Sequence, residues 1–473
     1  MASENPPTNH PQPDHSRRDF LKASTAALSA GALLAGCTTG RAASASAPAA
    51  PGGGAGPSPS ASQQSVSTGT LPNPLPPAVA ADAKTLRLGV IGLGADGACA
   101  MGLNHARSFI DLSKQGKEKC QIVAICDLCT IHLEKAHKDL LERQPGVEIA
   151  TYTKHEELLA RKDLDGVIIA VPEHAHAHVA IDAVRAGKDI YLEKPMTLHL
   201  EDALKLWDTE RAHPGVVAQV GTQMTRMPKF HEARKLIQSG AIGTATFSQT
   251  SYCRNSKDGE WHYPINSDWK PGVNLDWDRW CGPLGKQPWD PKLYYQWRRY
   301  HLVSTGIIGD LLVHVMTPMM IAIDQGWPVR VSATGAHLVD KDMDNCDNIN
   351  IVAQFETGHQ MMVAGSTCNE VGLETLIRGH KGNIYLGSRH CTVRPERIFA
   401  EELEEKTIEC PDIGNDQDVH RLGWMHSLRT REKPYCSIEL GAKVMVIVDL
   451  AQRSIWQGGA WTYDPATRKV ARA

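Results

Sequence analysis

Three glycines, Gly92, Gly94 and Gly97, follow an apolar run of the kind that forms a buried strand, Leu86–Ile91. In this pattern the first glycine permits a tight turn, and the second lets the backbone approach a pyrophosphate. The third lets the next helix pack closely on the strand, and amides at the start of that helix bind the phosphates. An ordinary turn is the alternative, because the pattern by itself has low specificity. We expect a dinucleotide to bind here.

Asp127 stands at the end of the next apolar run, residues 121–126. Its carboxylate could accept hydrogen bonds from the ribose hydroxyls of the adenosine and would repel a 2'-phosphate. The acidic residue therefore favours NAD over NADP. Asp127 lies 30 residues after Gly97, and polar residues 111–119 predict an insertion that accounts for this long spacing.

Asp310 and His314 are four residues apart in a segment predicted to be helical, so both side chains lie on one face, about one turn apart. A carboxylate so placed can fix the tautomer of the imidazole and support its charged form. The pair is therefore a candidate for moving protons. A histidine whose hydrogen bonds are satisfied in the core is the alternative, and the two residues alone favour it.

Glu193 and Lys194 follow a short apolar run, Asp189–Leu192, and precede Pro195. Such a position is the carboxyl edge of a parallel sheet, where ligands of doubly wound folds bind. Both charged side chains are therefore candidates for contact with a ligand. An ion pair at the surface is the alternative.

Three histidines, His174, His176 and His178, would share one face of a strand, as the ligands of some zinc sites do. Pro172 should end that strand, however, and a helix should begin near Ala175. A helix separates the three imidazoles onto different faces. We therefore expect no metal site.

Six of the eleven tryptophans lie between residues 260 and 297, among several tyrosines and arginines. Aromatic ring faces stack on the C–H faces of sugars, and arginine binds sugar hydroxyls. Trp297, Arg298 and Arg299 are therefore the candidate substrate contacts, and a carbohydrate or glycoside is the leading substrate class. Tryptophans that staple a long loop or fill an oligomer interface are an equally open alternative.

The elements that must position these residues fall into two groups. Apolar runs alternate with helical patterns up to about residue 212, which predicts a parallel sheet covered by helices. A helical stretch at 229–239 then precedes strand-like runs, of which 349–355 and 360–366 read as a hairpin. The predicted fold class is α/β. It comprises a Rossmann dinucleotide-binding domain at 85–220 and a C-terminal α+β domain at 221–473 with an open, largely antiparallel or mixed sheet.

The N-terminus carries export signals. Residues 16–22, Ser-Arg-Arg-Asp-Phe-Leu-Lys, match the twin-arginine pattern, and residues 34–37 match a lipobox that ends at Cys37. The intervening apolar stretch is shorter than the roughly 20 residues that span a bilayer. We expect a cleaved signal at 1–36, lipidation of Cys37 and a disordered Ala/Pro/Gly/Ser tether at 37–84. The protein would then leave the cytoplasm folded through the twin-arginine translocon. It would be a periplasmic or extracytoplasmic lipoprotein, held to the membrane only by its lipid.

Composition limits the partners. The 473 residues carry a formal net charge of -3, and no long basic run is present. We therefore expect no nucleic-acid partner.

Taken in order, the glycine turn, residues 171–176 (Val-Pro-Glu-His-Ala-His) and Glu193-Lys194-Pro195 resemble the Gfo/Idh/MocA family of nicotinamide oxidoreductases. The resemblance runs from about residue 86 to the C-terminus and includes segments 220–223, 231–243 and 420–441. It implies an NAD cofactor and a homo-oligomer formed through the C-terminal sheet.

The resemblance also implies roles for individual residues. His314 would remove a hydroxyl proton while hydride leaves the same carbon, with Asp310 as its partner, and Lys194 would position and polarise the reacting oxygen. One departure from the family pattern is the segment 304–309, which replaces a double-glycine lead-in. Residues that the resemblance places beside the cofactor, besides the glycines and Asp127, are Pro172, His176, Glu193, Lys194 and Gln223.

Three functions follow from this reading. The first is oxidation of a secondary alcohol on a sugar, polyol or glycoside by tightly held NAD, with NADP the less favoured cofactor. The second is a glycoside hydrolase that oxidises its substrate transiently and then returns the hydride. The third is a non-catalytic sugar-binding lipoprotein.

Overall fold

The computed structural model describes residues 76–94 and 99–473. The twin-arginine segment, Cys37, most of the tether and Gly97 lie outside the described residues, and what is expected of them remains a prediction. Within the described part of the chain, no helix combines the length and the apolar character needed to cross a bilayer.

The first half of the described chain alternates strands with helices. Its elements are β1 (Leu86–Ile91), α1 (Met101–Lys114), β2 (Cys120–Cys126), α2 (Thr130–Arg143), β3 (Ala150–Tyr152), α3 (His155–Leu159), β4 (Gly166–Ile169), α4 (Glu173–Arg185), β5 (Asp189–Leu192), α5 (Leu200–Ala212) and β6 (Ala218–Val220). The strands form one parallel sheet in the order β3-β2-β1-β4-β5-β6. Because helices cover both faces, β4 and β5 are buried along their whole length. This is the predicted Rossmann architecture, with its switch point between β1 and β4.

Two local expectations are corrected in this half. The predicted insertion at 111–119 is in part the last turn of α1, which runs on to Lys114. The strand predicted to reach Val171 ends at Ile169. Pro172, which has no amide to give to a sheet, is the cap from which α4 starts.

The second half builds a larger sheet. Its elements are α6 (Pro228–Gln238), β7 (Ala245–Cys253), α7 (Trp277–Cys281), α8 (Pro291–Tyr295), α9 (Val313–Ile323), β8 (Pro328–Ala336), β9 (Asn348–Phe355), β10 (Gln360–Ser366), β11 (Leu376–Gly379), β12 (Gly382–Leu386), β13 (His390–Pro395), β14 (Lys406–Glu409), α10 (Asp416–Thr430), α11 (Ile438–Gln457), β15 (Trp461–Asp464) and β16 (Lys469–Arg472). A π-helical turn, Ile308–Leu312, leads directly into α9. Short 3-10 turns lie at Gln223–Arg226, Gly282–Leu284, Trp297–Arg299 and Arg397–Phe399.

The ten strands lie in the order β14-β13-β12-β11-β7-β10-β9-β8-β15-β16. Only β7 and β10 pair in parallel among these described strands, so the sheet is mixed, as expected. The predicted hairpin is present as β9 and β10, joined through residues 356–359. Buried and more exposed residues alternate along β9, because one face of the sheet packs on helices, chiefly α11 and α9. The fold class predicted from the sequence is confirmed.

Candidate active site

The turn after β1 is shaped by its glycines. Gly92 and Gly94 have φ of +83° and +69°, in the left-handed region that favours glycine. A Cβ on Gly92 would lie 2.7 Å from the carbonyl oxygen of Ala170, after β4. A Cβ on Gly102 in α1 would lie 1.8 Å from the carbonyl oxygen of Gly92, so α1 packs directly on the turn. The sequence interpretation gave this close packing to Gly97 and overlooked Gly102.

Asp127 fastens this turn to the end of β2. Its Oδ2 accepts hydrogen bonds from the amides of Leu93 (2.8 Å) and Gly94 (3.2 Å), and its Oδ1 accepts one from the amide of Cys129 (2.9 Å). The Nδ1 of His132 lies 3.7 Å from Oδ1. Burial opposes ionisation, yet His132 and the amides lower the pKa of Asp127, and the carboxylate in turn raises the pKa of His132 to about 10 against the opposing effect of burial. Asp127 is therefore ionised and orders the glycine turn, and a protonated His132 lies beside it.

A cleft opens at the carboxyl ends of β1 and β4. The predicted cofactor residues that line it are Gly92, Gly94, Asp127, Pro172, His176, Glu193 and Lys194. Gln223 is not among the described residues that line the cleft; it begins the 3-10 turn after β6. The structure therefore brings together all but one of the described residues predicted to hold the cofactor.

His176 presents a neutral imidazole at this cleft. Its Nδ1 lies 2.6 Å from the carbonyl oxygen of Pro195, to which it donates. Its Nε2 is buried and has no hydrogen-bond partner among the described residues. Burial lowers the pKa of His176 to about 4, so the imidazole is neutral and its Nε2 can accept a hydrogen bond. This orphaned acceptor and the space beside Gly92 fit a dinucleotide.

His174 and His178 do not join His176 in a cluster of ligands. The Nε2 of His174 lies 2.7 Å from the carbonyl oxygen of Trp280, whereas the ring of His178 packs edge-on against His155. The helix α4 directs each imidazole to its own partner. Within the described residues, no group of three His, Cys, Asp or Glu side chains could hold a metal ion.

Lys194 joins the cleft to the segment before α9. Its Nζ donates to the backbone carbonyl of Asp310 (2.8 Å) and to the Oδ1 of the same residue (3.0 Å). The Nε of Arg298 donates to that Oδ1 at 2.7 Å. Burial disfavours the charged carboxylate, but Lys194 and Arg298 hold the pKa of Asp310 well below its usual range. A buried anion is thus shared by two cations that both line the cleft.

His314 lies at the second residue of α9 and is half-buried. Burial, followed by the charge of Lys194, lowers its pKa to about 3, so the imidazole is neutral. Its Nδ1 has no hydrogen-bond partner among the described residues. Neither His314 nor Asp310 is among the described residues that line the cleft; Lys194 and Arg298 connect Asp310 to it.

The predicted pairing of Asp310 with His314 is corrected. The carboxylate binds Lys194 and Arg298, and among the described residues no hydrogen bond joins it to the imidazole. The physical reason is that two buried cations bind the carboxylate, and the two residues lie in different elements, Asp310 in the π-helical turn Ile308–Leu312 and His314 in α9. Asp310 acts on His314 only through its charge, which favours the protonated imidazole.

A buried relay holds Glu193 behind Lys194. The Nε of Arg421 donates to the Nδ1 of His105 (2.9 Å), which leaves the imidazole proton on Nε2 for the Oε1 of Glu193, 2.7 Å away. Burial lowers the pKa of His105. Against burial, the bond from His105 lowers the pKa of Glu193 to about 2. Sequence reasoning missed His105 and Arg421, because they lie 316 residues apart and carry no shared local pattern.

The three residues predicted to contact the substrate do not all lie at the cleft. Trp297 and Arg298 line the cleft, and the guanidinium of Arg298 lies 4.1 Å from the centre of the Trp297 ring. Arg299 is only 3% exposed and donates two hydrogen bonds to Asp340 (2.8 Å each) and one to the carbonyl of Glu260. The predicted substrate role of Arg299 is therefore corrected to a structural one.

The tryptophan-rich segment, residues 261–300, is named here the strap. Trp261, Trp269, Trp277 and Trp280 are all buried, and the last three form a small core with Cys129 and Leu275. The structural alternative for these tryptophans is thus the better one, and of the six only Trp280 and Trp297 line the cleft.

The strap docks on the first half of the chain beside the cleft. The amide of Thr130 donates to the carbonyl of Asn274 (2.9 Å), and the amide of Asp276 donates to the carbonyl of Leu128 (3.1 Å). Farther along, Arg279 donates two hydrogen bonds to Glu156 on α3. The cleft therefore has two walls: the carboxyl edge of the parallel sheet and the strap. The strap residues that line it are Arg279, Trp280, Tyr294, Tyr295, Trp297 and Arg298.

Two models of one protein family match the chain in succession. The NAD-binding Rossmann fold of the Gfo/Idh/MocA oxidoreductase family matches residues 86–222, and the C-terminal alpha/beta domain of that family matches residues 229–472. A solved structure of levoglucosan dehydrogenase in complex with NADH and levoglucosan has a TM-score of 0.60 and 19% identity. The match covers 80% of this chain and 99% of that one, and it shows a common fold.

Two curated relatives are similar over part of their length. Inositol 2-dehydrogenase from Corynebacterium glutamicum is 32% identical over 161 residues, which cover 34% of this chain and 43% of the relative. Alpha-N-acetylgalactosaminidase from Shewanella oneidensis is 26% identical over 196 residues, which cover 39% of this chain and 40% of the relative. The chain thus aligns with less than half of either relative.

Proposed function

Because the chain belongs to the Gfo/Idh/MocA oxidoreductase family, we propose that it oxidises a secondary alcohol of a sugar, polyol or glycoside and passes the hydride to NAD. The observation that carries this proposal is Lys194, a cation that lines the cleft and is bound to Asp310. Inositol and levoglucosan, which appear in the names of similar proteins, both carry secondary alcohols. They support the substrate class.

Lys194, Asp310 and His314 have different roles in the proposed reaction. Lys194 donates from Nζ to the reacting oxygen and stabilises the negative charge that develops on it. Asp310 holds that ammonium in position. His314, neutral because of its burial, accepts the hydroxyl proton.

The first half of the chain holds the cofactor. When bound, NAD supplies the acceptor for the hydride. Gly92 and Gly94 let the backbone approach the pyrophosphate, and Asp127 excludes a 2'-phosphate by its charge. The Nε2 of His176 accepts a hydrogen bond from the ligand. NAD is therefore the proposed cofactor, ahead of NADP.

The test is to add sugars and polyols, including inositol and levoglucosan, to the purified protein and to follow the absorbance of the reduced nicotinamide. Net reduction with a ketone product is expected. Failure of every secondary alcohol to reduce the bound or added NAD would overturn the proposal.

A glycosidase is the second candidate, because the chain is similar to an alpha-N-acetylgalactosaminidase over 196 residues. In that reaction the hydride would return to the same substrate after cleavage. Aryl glycosides distinguish the two functions. Release of the aryl group without net change in nicotinamide absorbance supports the glycosidase, whereas accumulation of NADH supports the dehydrogenase.

We further propose that the cofactor is tightly held, and the strap supports this. Gly92, Gly94 and Trp280 line the same cleft, so we expect a bound dinucleotide to contact the strap and to leave when the strap moves. That movement would expose a core that includes Cys129, Trp269, Leu275 and Trp277, all at most 6% exposed. Exposure of apolar side chains costs roughly 1.5 to 3 kcal/mol each, which makes opening slow.

A reversible cross-link tests the strap. Cys129 and Leu275 are partners in an antiparallel bridge, so their Cα atoms are about 4.5 to 5.5 Å apart, within the range for a disulfide. In the Leu275→Cys variant, oxidation should slow the exchange of bound NADH at least about tenfold, and reduction should restore it. The fluorescence of NADH during dilution into excess NAD gives the rate. Equal rates in both redox states would overturn the role of the strap.

The export signals lead to a further proposal about place. We propose that the protein is exported with its cofactor bound and anchored by lipid at Cys37. Outside the cytoplasm the bound NADH must then give up its hydride without leaving the protein. The acceptor would be either a second carbonyl substrate or the oxidised form of the first substrate. Replacing Arg17 and Arg18 by lysine should keep the protein in the cytoplasm, and Cys37→Ala should release it from the membrane fraction.

Association of copies through the C-terminal sheet is also proposed. Val352 on β9 is 38% exposed on the face away from the helices. Size-exclusion chromatography with light scattering should report a mass that is a multiple of the chain mass, and Val352→Lys should shift it towards the monomer.

A further inference from the structure

Glu173, the first residue of α4, is a fully buried carboxylate that pairs with no cation among the described residues: both of its oxygens lie 3.1 Å from the amide of Thr305. The hydroxyl of Thr305 donates to Oε1 at 2.6 Å. All these bonds cross from the first half of the chain to the second, 132 residues away. Burial of a carboxylate costs free energy of folding, and hydrogen bonds such as those from Thr305 reduce that cost.

Thr305 stands at the entrance to the segment that carries Asp310. Its carbonyl accepts a hydrogen bond from Gln452 on α11 (2.8 Å), and the amide of Asp310 donates to the carbonyl of Gly306 (2.9 Å). Thr305 is thus held from both sides, by Glu173 and by Gln452. The position of Thr305 sets where the π-helical turn begins.

Gly309 shows how closely this turn is packed on Glu173. A Cβ at Gly309 would lie 2.0 Å from the Oγ1 of Thr305, 3.0 Å from Pro195 and 3.2 Å from the Oε1 of Glu173. Pro195 directly follows Lys194. One contact surface therefore joins Glu173, the turn that carries Asp310 and the residue next to Lys194.

We propose that Glu173 is a positioning residue: through Thr305 it fixes the π-helical turn so that Asp310 reaches Lys194 in the geometry needed for turnover. Glu173 does not line the cleft, so it acts through Thr305 and never touches the substrate. The proposal rests on the proposed function for its kinetic assay.

The environment of Glu173 gives this role a pH dependence. Burial, partly offset by the hydroxyls and amide of Thr305 and Ser304, raises the pKa of Glu173 from 4.5 to about 7, and the charge of Asp310 raises it further. Asp310 is the charged group that faces it; Lys194 and Arg298 lie beyond and are bound to Asp310. A carboxylate with a raised pKa in the native state destabilises the fold as pH rises from 4.5 to about 7. The ionised form nevertheless makes the stronger hydrogen bonds to Thr305.

The decisive variant is Glu173→Gln, which keeps the shape and one acceptor but is never charged. At about pH 8 its kcat should be about fivefold below wild type with KM unchanged, and at about pH 6 the two should agree, since a charged acceptor binds more strongly than a neutral one. The variant should be at least as stable as wild type at the higher pH. A merely structural carboxylate would instead lose stability together with activity.

Glu118→Gln is the matched control. Glu118 is also a buried carboxylate, but it binds Arg429 and is not among the residues that line the cleft. This control should lower the melting temperature without changing the pH profile of kcat. Thr305→Val, which removes the 2.6 Å bond, should behave like Glu173→Gln. A Glu173→Gln profile that follows wild type at every pH would overturn the proposal.

Hydrogen exchange separates this inference from the proposed function. In wild type, protection of the amides of residues 303–312, corrected for intrinsic rates, should fall between about pH 6 and about pH 8, because opening of this segment lets Glu173 ionise at its ordinary pKa. Glu173→Gln should show no such fall. If no sugar or polyol is turned over, the proposed function fails, yet this readout still supports or overturns the role of Glu173.

Discussion

The ammonium of Lys194 binds Asp310 twice, at the backbone carbonyl (2.8 Å) and at the carboxylate (3.0 Å). Lys194 follows β5 of the parallel sheet, and Asp310 lies in the π-helical turn of the second half of the chain, so this contact joins the end of β5 to the turn before α9. The side chains are only 13% and 8% exposed, and such a desolvated pair holds its geometry firmly.

Replacing Lys194 should therefore stop the chemistry more than it disturbs the fold. Lys194→Met is expected to lower kcat by about 10² to 10³-fold, because it removes a preorganised donor. Arg298 remains to neutralise Asp310, so the loss of stability should be small. Lys188→Met is the control, since that lysine is also largely buried but binds the carbonyl of Arg161. A Lys194→Met enzyme with near-normal kcat would contradict the assignment.

His314→Ala should abolish turnover while NADH remains bound, because the imidazole is the proposed acceptor of the hydroxyl proton. Its pKa is lowered to about 3, so the base stays neutral throughout the neutral and mildly acidic range. The pH profile of kcat/KM in Glu173→Gln should therefore show no acid limb from this histidine near its ordinary value of 6.5. Bound NADH is measured by fluorescence, and unchanged turnover would refute the role.

Acid should destabilise the fold through its buried histidines. His174 and His176 have pKa values lowered to about 4, as does His231, and His420 is lowered to about 3, in each case first by burial. Below the unfolded value of 6.5 the unfolded chain binds more protons, so stability falls as pH drops. Each group contributes about 1.4 kcal/mol per pH unit. Urea unfolding at several pH values checks this. Glu173, Glu210 and Asp416, whose pKa values are raised by burial, act in the opposite direction.

Arg298 and Arg299 are adjacent, and their substitution should have opposite consequences. Arg299→Met leaves Asp340 buried without its partner and should cost about 3 to 5 kcal/mol of unfolding free energy, with KM unchanged. Arg298→Met should lower kcat or raise KM, because Arg298 lines the cleft and binds Asp310. Both variants should be compared by urea unfolding and by steady-state kinetics. If KM rises in Arg299→Met and not in Arg298→Met, the predicted contact of Arg299 with the substrate is supported after all.

The sequence predicted those features that local pattern controls. The apolar runs of β1 and β5, the glycine turn and the hairpin of β9 and β10 each carry their signal within a few residues. Asp127 was predicted for the same reason, because it directly follows a buried strand.

Features that depend on distant partners were not predicted. Glu193 is held by His105, 88 residues away, and Arg299 is bound by Asp340, 41 residues away. Neither partner has a spacing that local periodicity could detect. The pairing of Asp310 with His314 failed for another reason, since an α-helix and a π-helical turn have the same sequence pattern over so short a stretch.

The π-helical turn Ile308–Leu312 holds one more residue than an α-helical turn would. Deleting a single residue there would allow the segment to close as a regular helix and would change the position of Asp310 relative to α9. The deletion would carry Asp310 away from Lys194 while every side chain of the site kept its identity. The active site therefore depends on the number of residues in this turn as well as on their types. Single-residue deletions would test that dependence, whereas substitutions would not.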